Sequence, residues 1–260
     1  MMKSVVKKAI RTAQSELWFL KEAKDEFYYR YRKFSRKPHD KDFGVIALIK
    51  KGEPGCFIDV GANQGQSIES IRLFAPRARI ESFEPNPGLA QKLTARYQAD
   101  PLVNVHNVGL SDHPGLMELY VPSYKGFVYD GLASLDIESA KSWINADRVY
   151  FFKPDAIEIA KCRCTVETLD TLNLDPIFIK IDVQGTEYSV IEGGLETVRK
   201  HQPILMVEGF EEDPRLAGFL ASENYDPYVF SDGKLVPGAH HAVNTFLITK
   251  ARLEKSIIQP

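Results

Sequence analysis

Residues 57–65 read FIDVGANQG, and this stretch decides the fold. The short apolar run at 56–60 ends at Gly61, which is the pattern of a parallel strand that is buried on both faces. After Gly65, apolar residues recur at helical spacing until Pro76 stops the pattern. The stretch therefore predicts a strand, a glycine-containing loop and a helix.

The alternation of strands and helices continues toward the C-terminus. Asn86 and Pro87 are typical of a helix N-cap and of the first helical position. Asp232-Gly233 is a turn signal that predicts an antiparallel pair near the end of the chain. Further strands are predicted at residues 80–83, 103–108, 177–181, 204–207, 228–230 and 246–249. Together these patterns predict an α/β fold with a mostly parallel seven-stranded sheet, an antiparallel C-terminal strand and helices on both faces.

Composition narrows the class of protein without naming an activity. The 260 residues suffice for one sizeable domain, and the 44% hydrophobic and 26% charged shares exclude a disordered or fibrous chain. No run of about 18 apolar residues occurs, which excludes a transmembrane helix. The three cysteines favour a reducing cytoplasm over a disulfide framework, so we expect a cytoplasmic protein.

Residues 1–42 are predicted to be a basic helical extension, and residues 43–260 the main domain. Residues 1–41 hold 12 basic and 5 acidic side chains, although the whole chain has a formal charge of −2. Such a segment favours an anionic surface such as lipid headgroups or polyphosphate. A solvated helical extension or a homodimer arm would explain the same pattern. Peripheral membrane contact and a homodimer are therefore both open expectations.

The alternation of strands and helices is interrupted at about residues 116–163. This segment contains eight aromatic side chains, more than a simple connection between two elements needs: Tyr120, Tyr124, Phe127, Tyr129, Trp143, Tyr150, Phe151 and Phe152. We interpret it as an inserted lid or substrate wall, or as an ordinary packed insertion.

Polar residues that follow the strands predict a nucleoside site at the carboxyl edge of the sheet. Gly61 and Gly65 permit close approach of the backbone, and Glu84 follows the second strand, where an acid can accept hydrogen bonds from ribose hydroxyls. The dinucleotide fingerprint requires a glycine where this loop has Asn63, because a pyrophosphate presses against the backbone there. S-adenosylmethionine has a ribose and an adenine but no phosphate, so the loop suits this cofactor better.

Five motifs, in register over roughly residues 55–210, resemble the FkbM family of methyltransferases. They are FIDVGANQG at 57–65, SFEPNP at 82–87, GLSD at 109–112, VETLD at 166–170 and IKIDVQGTE at 179–187. The resemblance implies a Rossmann-like class I methyltransferase fold, S-adenosylmethionine as cofactor and, commonly, O-methylation of a hydroxyl on a sugar, glycolipid or polyketide. The chain departs from the family at Gln184, where an acid is usual.

The site residues follow from the ends of the predicted strands. Asp182 and Glu208 end adjacent strands at the cleft side, where they either bind Mg²⁺ or include a general base. The family motif adds Glu187 as a catalytic candidate, with a first-turn helix acid as the alternative, and His240-His241 is a further candidate base. Residues expected to contact the cofactor are Asp59, Gly61, Ala62, Asn63, Gly65, Glu84, Pro85, Asn86, Gly109, Leu110 and Asp182.

The function expected from these residues is O-methylation of a hydroxyl on a saccharide, glycolipid or related natural product. The alternatives are an NAD-dependent oxidoreductase or nucleotide-sugar enzyme, and a non-catalytic cofactor-binding module, which Gln184 favours. A nucleic-acid partner is not expected, since the part of the chain beyond residue 41 is acidic and has no basic aromatic groove.

Overall fold

A computed structural model describes residues 2–210, 213–238 and 243–257. His240 and His241, the candidate bases of the C-terminal loop, lie outside the described residues. The helices are α1 Met2–Glu16, α2 Lys21–Ser35, α3 Gln66–Phe74, α4 Pro87–Tyr97, α5 Ile137–Ser142, α6 Glu187–Glu192, α7 Leu195–His201, α8 Pro214–Glu223 and α9 Lys250–Ser256. The strands are β1 Cys56–Val60, β2 Arg79–Phe83, β3 Val103–His106, β4 Gly109–Leu110, β5 Gly115–Tyr124, β6 Phe127–Val128, β7 Ile157–Glu167, β8 Pro176–Ile181, β9 Ile204–Glu208, β10 Tyr225–Ser231, β11 Lys234–Pro237 and β12 Asn244–Thr249.

The central sheet has the strand order β11-β10-β12-β9-β8-β1-β2-β3. Strands β3, β2, β1, β8 and β9 pair in parallel, and β12 pairs antiparallel with both β9 and β10. The predicted mostly parallel sheet and its antiparallel C-terminal strand are thus confirmed. The order of the strands reverses direction at β1, which is where open α/β sheets bind their ligands.

The predicted number of strands was wrong by one, since the described part of the chain forms an eight-stranded central sheet. The additional strand is β11, which pairs antiparallel with β10 at the edge of the sheet. Asp232 and Gly233 both have positive φ, +51° and +79°, and this conformation closes a tight hairpin. The turn at Asp232-Gly233 therefore joins β10 to β11, which contains too few apolar residues to be recognised as a strand from the sequence.

Helices cover both faces of the sheet and bury strand β1 completely. Phe57 packs with Ile71 of α3 in the core on one face, whereas Ile58 packs with Val190 of α6 and Leu216 of α8 on the other. Side chains of a strand alternate between the two faces, so a strand that is covered on both sides is apolar at most of its positions. This explains why β1 is apolar except at Asp59.

The insertion forms a second sheet with the order β4-β7-β5-β6. Strands β5 and β7 pair antiparallel along their length, from Gly115 to Tyr124 on β5. Most of the insertion's aromatic side chains pack with one another: Tyr124, Phe127 and Tyr129 are buried, and Trp143 and Phe152 are packed against them. The aromatic residues therefore form the core of a packed insertion.

Helices α1 and α2 pack against both the insertion and the main domain. Lys8 Nζ donates a hydrogen bond to the carbonyl of Ala146, and the backbone N–H of Tyr150 donates to Thr12 Oγ1 at 2.9 Å. On the other side, the guanidinium of Arg96 in α4 lies 3.9 Å from the centre of the Tyr29 ring. None of the helices in the described ranges is both long and apolar enough to cross a bilayer.

Candidate active site

A cavity lies beyond the carboxyl ends of β1, β2 and β8, and residues of the insertion form part of its wall. Predicted cofactor residues that line it are Gly61, Asn63, Glu84, Pro85, Gly109, Leu110 and Asp182. The edge of the sheet that the sequence indicated therefore carries a concave site.

The glycine at the end of β1 lets two strands approach closely. Gly61 has φ +81°, and a Cβ atom at this position would lie 2.0 Å from the carbonyl oxygen of Asp182. The N–H groups of Gly61 and Ala62 both donate hydrogen bonds to the carbonyl of Phe83, at 3.0 and 3.1 Å. Gly61 therefore joins the tips of β1, β2 and β8 into one rim, in addition to lining the cavity.

Glu84 connects the loops that follow β1 and β2. One carboxylate oxygen accepts a hydrogen bond from the N–H of Asn63 at 2.7 Å, and the other accepts from the N–H of Asn86 at 2.9 Å. Burial raises the pKa of Glu84 to about 7, although these hydrogen bonds and the nearby Lys180 lower it. Each carboxylate oxygen has a second lone pair, so Glu84 can still accept hydrogen bonds from a ligand in the cavity.

The cavity has apolar walls on one side and an unpaired polar atom on the other. Phe83, Pro85, Leu110 and Leu119 line it with carbon atoms, as a flat heterocycle such as adenine requires. The buried Oδ1 atom of Asn63 has no hydrogen-bond partner among the described residues. A buried amide oxygen is costly to leave unpaired, which supports a polar ligand beside it. The lining therefore fits the adenosine part of S-adenosylmethionine.

Three predicted cofactor residues shape the site from outside the cavity wall. Gly65 has φ +82°, and its missing Cβ makes room for Leu93 and Tyr97 of α4. Asn86 caps α4 by accepting a hydrogen bond from the N–H of Gly88 at 3.0 Å. Ala62 is fully buried in the core. Their contacts give them a role in positioning the two loops.

Asp59 is completely buried, and its side chain faces Lys180 rather than the cavity. One oxygen lies 3.5 Å from Lys180 Nζ, and the other accepts a hydrogen bond from Ser82 Oγ at 3.2 Å. Burial raises the pKa of Asp59 and would lower that of Lys180, but Asp182 and Asp59 together raise the pKa of Lys180. The sequence indicated direct contact between Asp59 and the cofactor, whereas the structure places Asp59 behind the wall as an ion-pair partner.

Asp182 and Glu208 form a carboxyl pair at the tips of β8 and β9. Asp182 Oδ1 accepts a hydrogen bond from the side-chain amide of Gln184 at 2.7 Å, and Oδ2 lies 3.2 Å from Lys180 Nζ. Burial would raise the pKa of Asp182, but Lys180, Glu208 and Gln184 hold it below its usual range. Burial and the adjacent Asp182 raise the pKa of Glu208. The pair therefore combines a carboxyl whose pKa is held low with one whose pKa is raised.

Glu187 supports the loop that follows β8. Its carboxylate accepts hydrogen bonds from the N–H groups of Val183 and Gly185, at 3.3 and 3.1 Å. Burial raises the pKa of Glu187 in spite of these hydrogen bonds. Gln184 and Gly185 have φ values of +57° and +100°, so the loop adopts a conformation that needs such support. These contacts favour a positioning role for Glu187 over a catalytic one.

The carboxyl pair does not fit the Mg²⁺ site that the sequence left open. The described residues contain no group of three His, Cys, Asp or Glu side chains suited to a metal ion. Both oxygens of Asp182 already face donors, the ammonium of Lys180 and the amide of Gln184. The ammonium of Lys180, 3.2 Å from Asp182 Oδ2, repels a divalent cation, and two carboxyl groups alone supply few of the six or more oxygen ligands that such an ion prefers.

A loop of small residues between β6 and α5 forms part of the cavity wall, and the sequence analysis missed it. Ser134 exchanges two backbone hydrogen bonds with Tyr120 of β5, and its hydroxyl donates to the carbonyl of Gln184 at 2.7 Å. Asp130 accepts a hydrogen bond from Gln64 Nε2 at 3.3 Å and pairs with Lys21 of α2. The loop contributes Asp130, Gly131, Ala133, Ser134 and Leu135 to the lining. Asp130-Gly131 is a turn signal that could have indicated this loop. The sequence analysis interpreted the segment from its aromatic residues instead.

A second cleft, with a mostly polar lining, lies next to the cavity. Gln184 lines both spaces, and Glu208 lines the cleft. The cleft wall includes Trp143 and Arg148, whose guanidinium lies 4.4 Å from the centre of the Trp143 ring. The carboxyl pair therefore stands between the cavity, which Asp182 lines, and the polar cleft, which Glu208 lines.

The family model of the methyltransferase FkbM domain matches residues 59–227 of the chain, and all the residues that line the cavity lie within this range. The chain belongs to the FkbM methyltransferase family. The class I methyltransferase fold that the motifs implied is confirmed.

Two curated proteins and one solved structure are similar to this FkbM protein. The 2-O-methyltransferase NoeI of Sinorhizobium fredii is 28% identical over 161 residues, which are 60% of this chain and 63% of NoeI. The AMB antimetabolite synthetase AmbE of Pseudomonas aeruginosa is 31% identical over 159 residues, 52% of this chain but 7% of AmbE. The chain thus spans less than two thirds of either relative. The crystal structure of the methyltransferase FkbM from Methylobacillus flagellatus KT matches with a TM-score of 0.50 and 14% identity over 80% of this chain and 48% of that one, a likeness of fold alone.

Proposed function

We propose that this FkbM methyltransferase uses S-adenosylmethionine to methylate a hydroxyl oxygen of a saccharide, glycolipid or related natural product. The observation that carries the proposal is the position of the Asp182–Glu208 pair, between the cavity and the polar cleft. A methyl donor in the cavity and an acceptor in the cleft would meet at this pair. The free state of all three cysteines supports the expected cytoplasmic location.

The cavity supplies what an adenosine needs. Glu84 offers carboxylate lone pairs to ribose hydroxyls, and the carbon atoms of Phe83 and Leu110 flank the space for a base. The Asn63 amide oxygen is available to a polar group of the ligand. The same loop offers no glycine-rich cradle for a pyrophosphate, so S-adenosylmethionine fits better than a dinucleotide.

The carboxyl pair supplies the acid–base chemistry. When bound, S-adenosylmethionine provides an electrophilic methyl group for in-line displacement. Asp182, held by Lys180 and Gln184, accepts a hydrogen bond from the acceptor hydroxyl and aligns its oxygen. When Glu208 is ionised, the carboxyl pair takes up the proton that the acceptor hydroxyl loses. This proton transfer completes the methylation of the oxygen.

The cleft supports a polar acceptor. Its lining includes the hydroxyls of Ser139 and Ser142 and the guanidinium groups of Arg148 and Arg215, all of which hydrogen-bond well to polyhydroxylated molecules. The name of its relative NoeI, a 2-O-methyltransferase, supports oxygen as the atom that is methylated. A saccharide hydroxyl agrees with both observations.

Calorimetric titration with S-adenosylmethionine and, in parallel, with NADH tests the cofactor. We expect binding of the first alone, and tight NADH binding without S-adenosylmethionine binding would refute the proposal. Formation of S-adenosylhomocysteine with a panel of free sugars, glycolipids and phenols then tests the acceptor. Turnover confined to acceptors without a sugar hydroxyl would refute the saccharide assignment while leaving the methyltransferase intact.

A further inference from the structure

We propose that α1, α2 and the turn between them form a docking surface for an anionic lipid bilayer. The proposal does not rest on the acceptor assigned above. Its evidence is the exposure of the apolar faces of the two helices, together with the net charge of the segment that contains them.

Helix α1 turns its polar face toward the protein and its apolar face toward solvent. Thr12 accepts a hydrogen bond from the backbone of Tyr150, and Ser15 is completely buried. Val6 and Ile10, one turn apart on the opposite face, are each 52% exposed. A helix of a globular protein normally buries its apolar stripe, so this orientation leaves α1 with a face that lacks an apolar partner among the described residues.

Helix α2 exposes an apolar face of its own, which consists of aromatic rings. Phe27, Tyr31 and Phe34 are spaced to share one helix face and are 65%, 50% and 87% exposed. The rings of Phe27 and Tyr31 stack with their centres 6.3 Å apart. Between the helices, the turn exposes Trp18 and Phe19. Aromatic side chains of this kind are enriched at the interface between lipid and water.

The exposed apolar side chains concentrate in this region. Eleven of the seventeen large hydrophobic side chains that are exposed among the described residues lie between residues 5 and 34. Exposed apolar side chains that are concentrated in one segment, rather than scattered singly, mark interaction sites. The other six are scattered over the rest of the described chain.

Charge favours a membrane over a second copy of the chain. Residues 1–41 carry a formal charge of +7 and the remaining residues −9, so an anionic surface attracts this end of the sequence and repels the rest. Three acids of the segment are already paired with cations outside it: Glu16 with Lys125, Glu22 with Lys92 and Glu26 with Arg96. A symmetric dimer through this face would bring two basic segments together, which is electrostatically unfavourable.

Vesicle co-sedimentation of the full-length protein tests the proposal. We expect binding to vesicles of phosphatidylcholine with phosphatidylglycerol, weak binding to phosphatidylcholine alone, and release by high salt. The triple variant Phe27→Ser/Tyr31→Ser/Phe34→Ser should lose roughly tenfold or more of the binding, since it removes the apolar contact. Lys33→Glu/Arg36→Glu/Lys37→Glu should cause a similar loss by reversing the charge, and its aromatic face stays intact.

The matched control is Leu116→Ser/Phe151→Ser, which removes two side chains that are 76% and 86% exposed on the insertion. It should bind vesicles as the unmodified protein does, and all variants should keep their Tm. The proposal is overturned by equal binding of the aromatic variant and the control. It is also overturned if the protein ignores anionic vesicles and sediments as a dimer that the aromatic substitutions dissociate, because a second copy then covers this face.

Discussion

Glu84 and Asp182 both follow buried strands, yet their hydrogen bonds assign them different tasks. Glu84 accepts hydrogen bonds from two backbone N–H groups, whereas Asp182, which lines the same cavity, is held by the side chains of Lys180 and Gln184 beside Glu208. The first arrangement suits cofactor binding, and the second suits alignment of an acceptor.

We expect Glu84→Ala to weaken S-adenosylmethionine binding by about tenfold to a hundredfold, because a carboxylate hydrogen bond to the ribose is lost. The variant will also lose some stability, since the N–H groups of Asn63 and Asn86 lose their acceptor. The matched control is Glu81→Ala on the same strand, which removes hydrogen bonds to Asn104 and His106 away from the cavity. Calorimetry should show unchanged cofactor affinity for the control, and an equal loss in both variants would contradict the ribose assignment.

Asp182→Asn should lower turnover by roughly a hundredfold to ten-thousandfold while cofactor affinity stays within a few-fold. The amide keeps the size of the side chain but cannot align a hydroxyl as a charged acceptor. Single-turnover formation of S-adenosylhomocysteine separates this effect from product release. Full activity of the variant would remove Asp182 from the reaction.

The paired carboxyls predict a pH dependence of turnover. Because burial and Asp182 raise the pKa of Glu208, this carboxyl stays protonated above the ordinary value of about 4.3 for glutamic acid, and the rate should rise as pH rises through the raised pKa. Glu208→Gln mimics the protonated form and should give a low rate that does not rise with pH. The measurement is kcat as a function of pH between about 5 and 9. A wild-type rate that is already constant at pH 5 would contradict the assignment.

At the scale of elements, the site depends on how closely the tips of β1 and β8 approach. Gly61→Ala should lower the free energy of unfolding by about 3 kcal/mol or more, because it adds a contact of 2.0 Å with the Asp182 carbonyl to the strain of a positive φ. Gly52→Ala is the control, since φ there is +80° but nothing lies within 4 Å of the added Cβ. It should cost about 1 kcal/mol from strain alone. Equal midpoints of urea unfolding for the two variants would show that β1 and β8 have room to move apart.

Elements with a strong local signal were predictable. The run of β1, the cap of α4 at Asn86 and the turn at Asp232-Gly233 each depend on residues close in sequence. The pairing of Ser134 with Tyr120 and with Gln184 depends on contacts across 14 and 50 positions, for which the sequence contains no local pattern. The loop that forms part of the cavity wall was therefore assigned only from the tertiary structure.

At the scale of the whole molecule, the cavity has walls from the central sheet, the insertion and, through the pairing of Lys21 with Asp130, the N-terminal helices. A ligand that binds there stabilises all three parts against unfolding. S-adenosylmethionine at a hundred times its Kd should raise Tm by about 5–10 °C. NADH at the same concentration should leave Tm unchanged, and scanning calorimetry of the full chain measures both. An unchanged Tm with S-adenosylmethionine would contradict binding in this cavity.

The sequence by itself determined the parallel sheet, the two glycine turns, the acid after β2 and the carboxyls at the tips of β8 and β9, because each depends on periodicity or on turn chemistry within a few residues. Only the tertiary structure decided that Asp59 faces Lys180, that Glu187 supports a loop and that α1 turns its apolar side outward. The direction of a side chain depends on which distant element packs against it. That choice is made by the free energy of burial and pairing in the assembled fold, which no local pattern encodes.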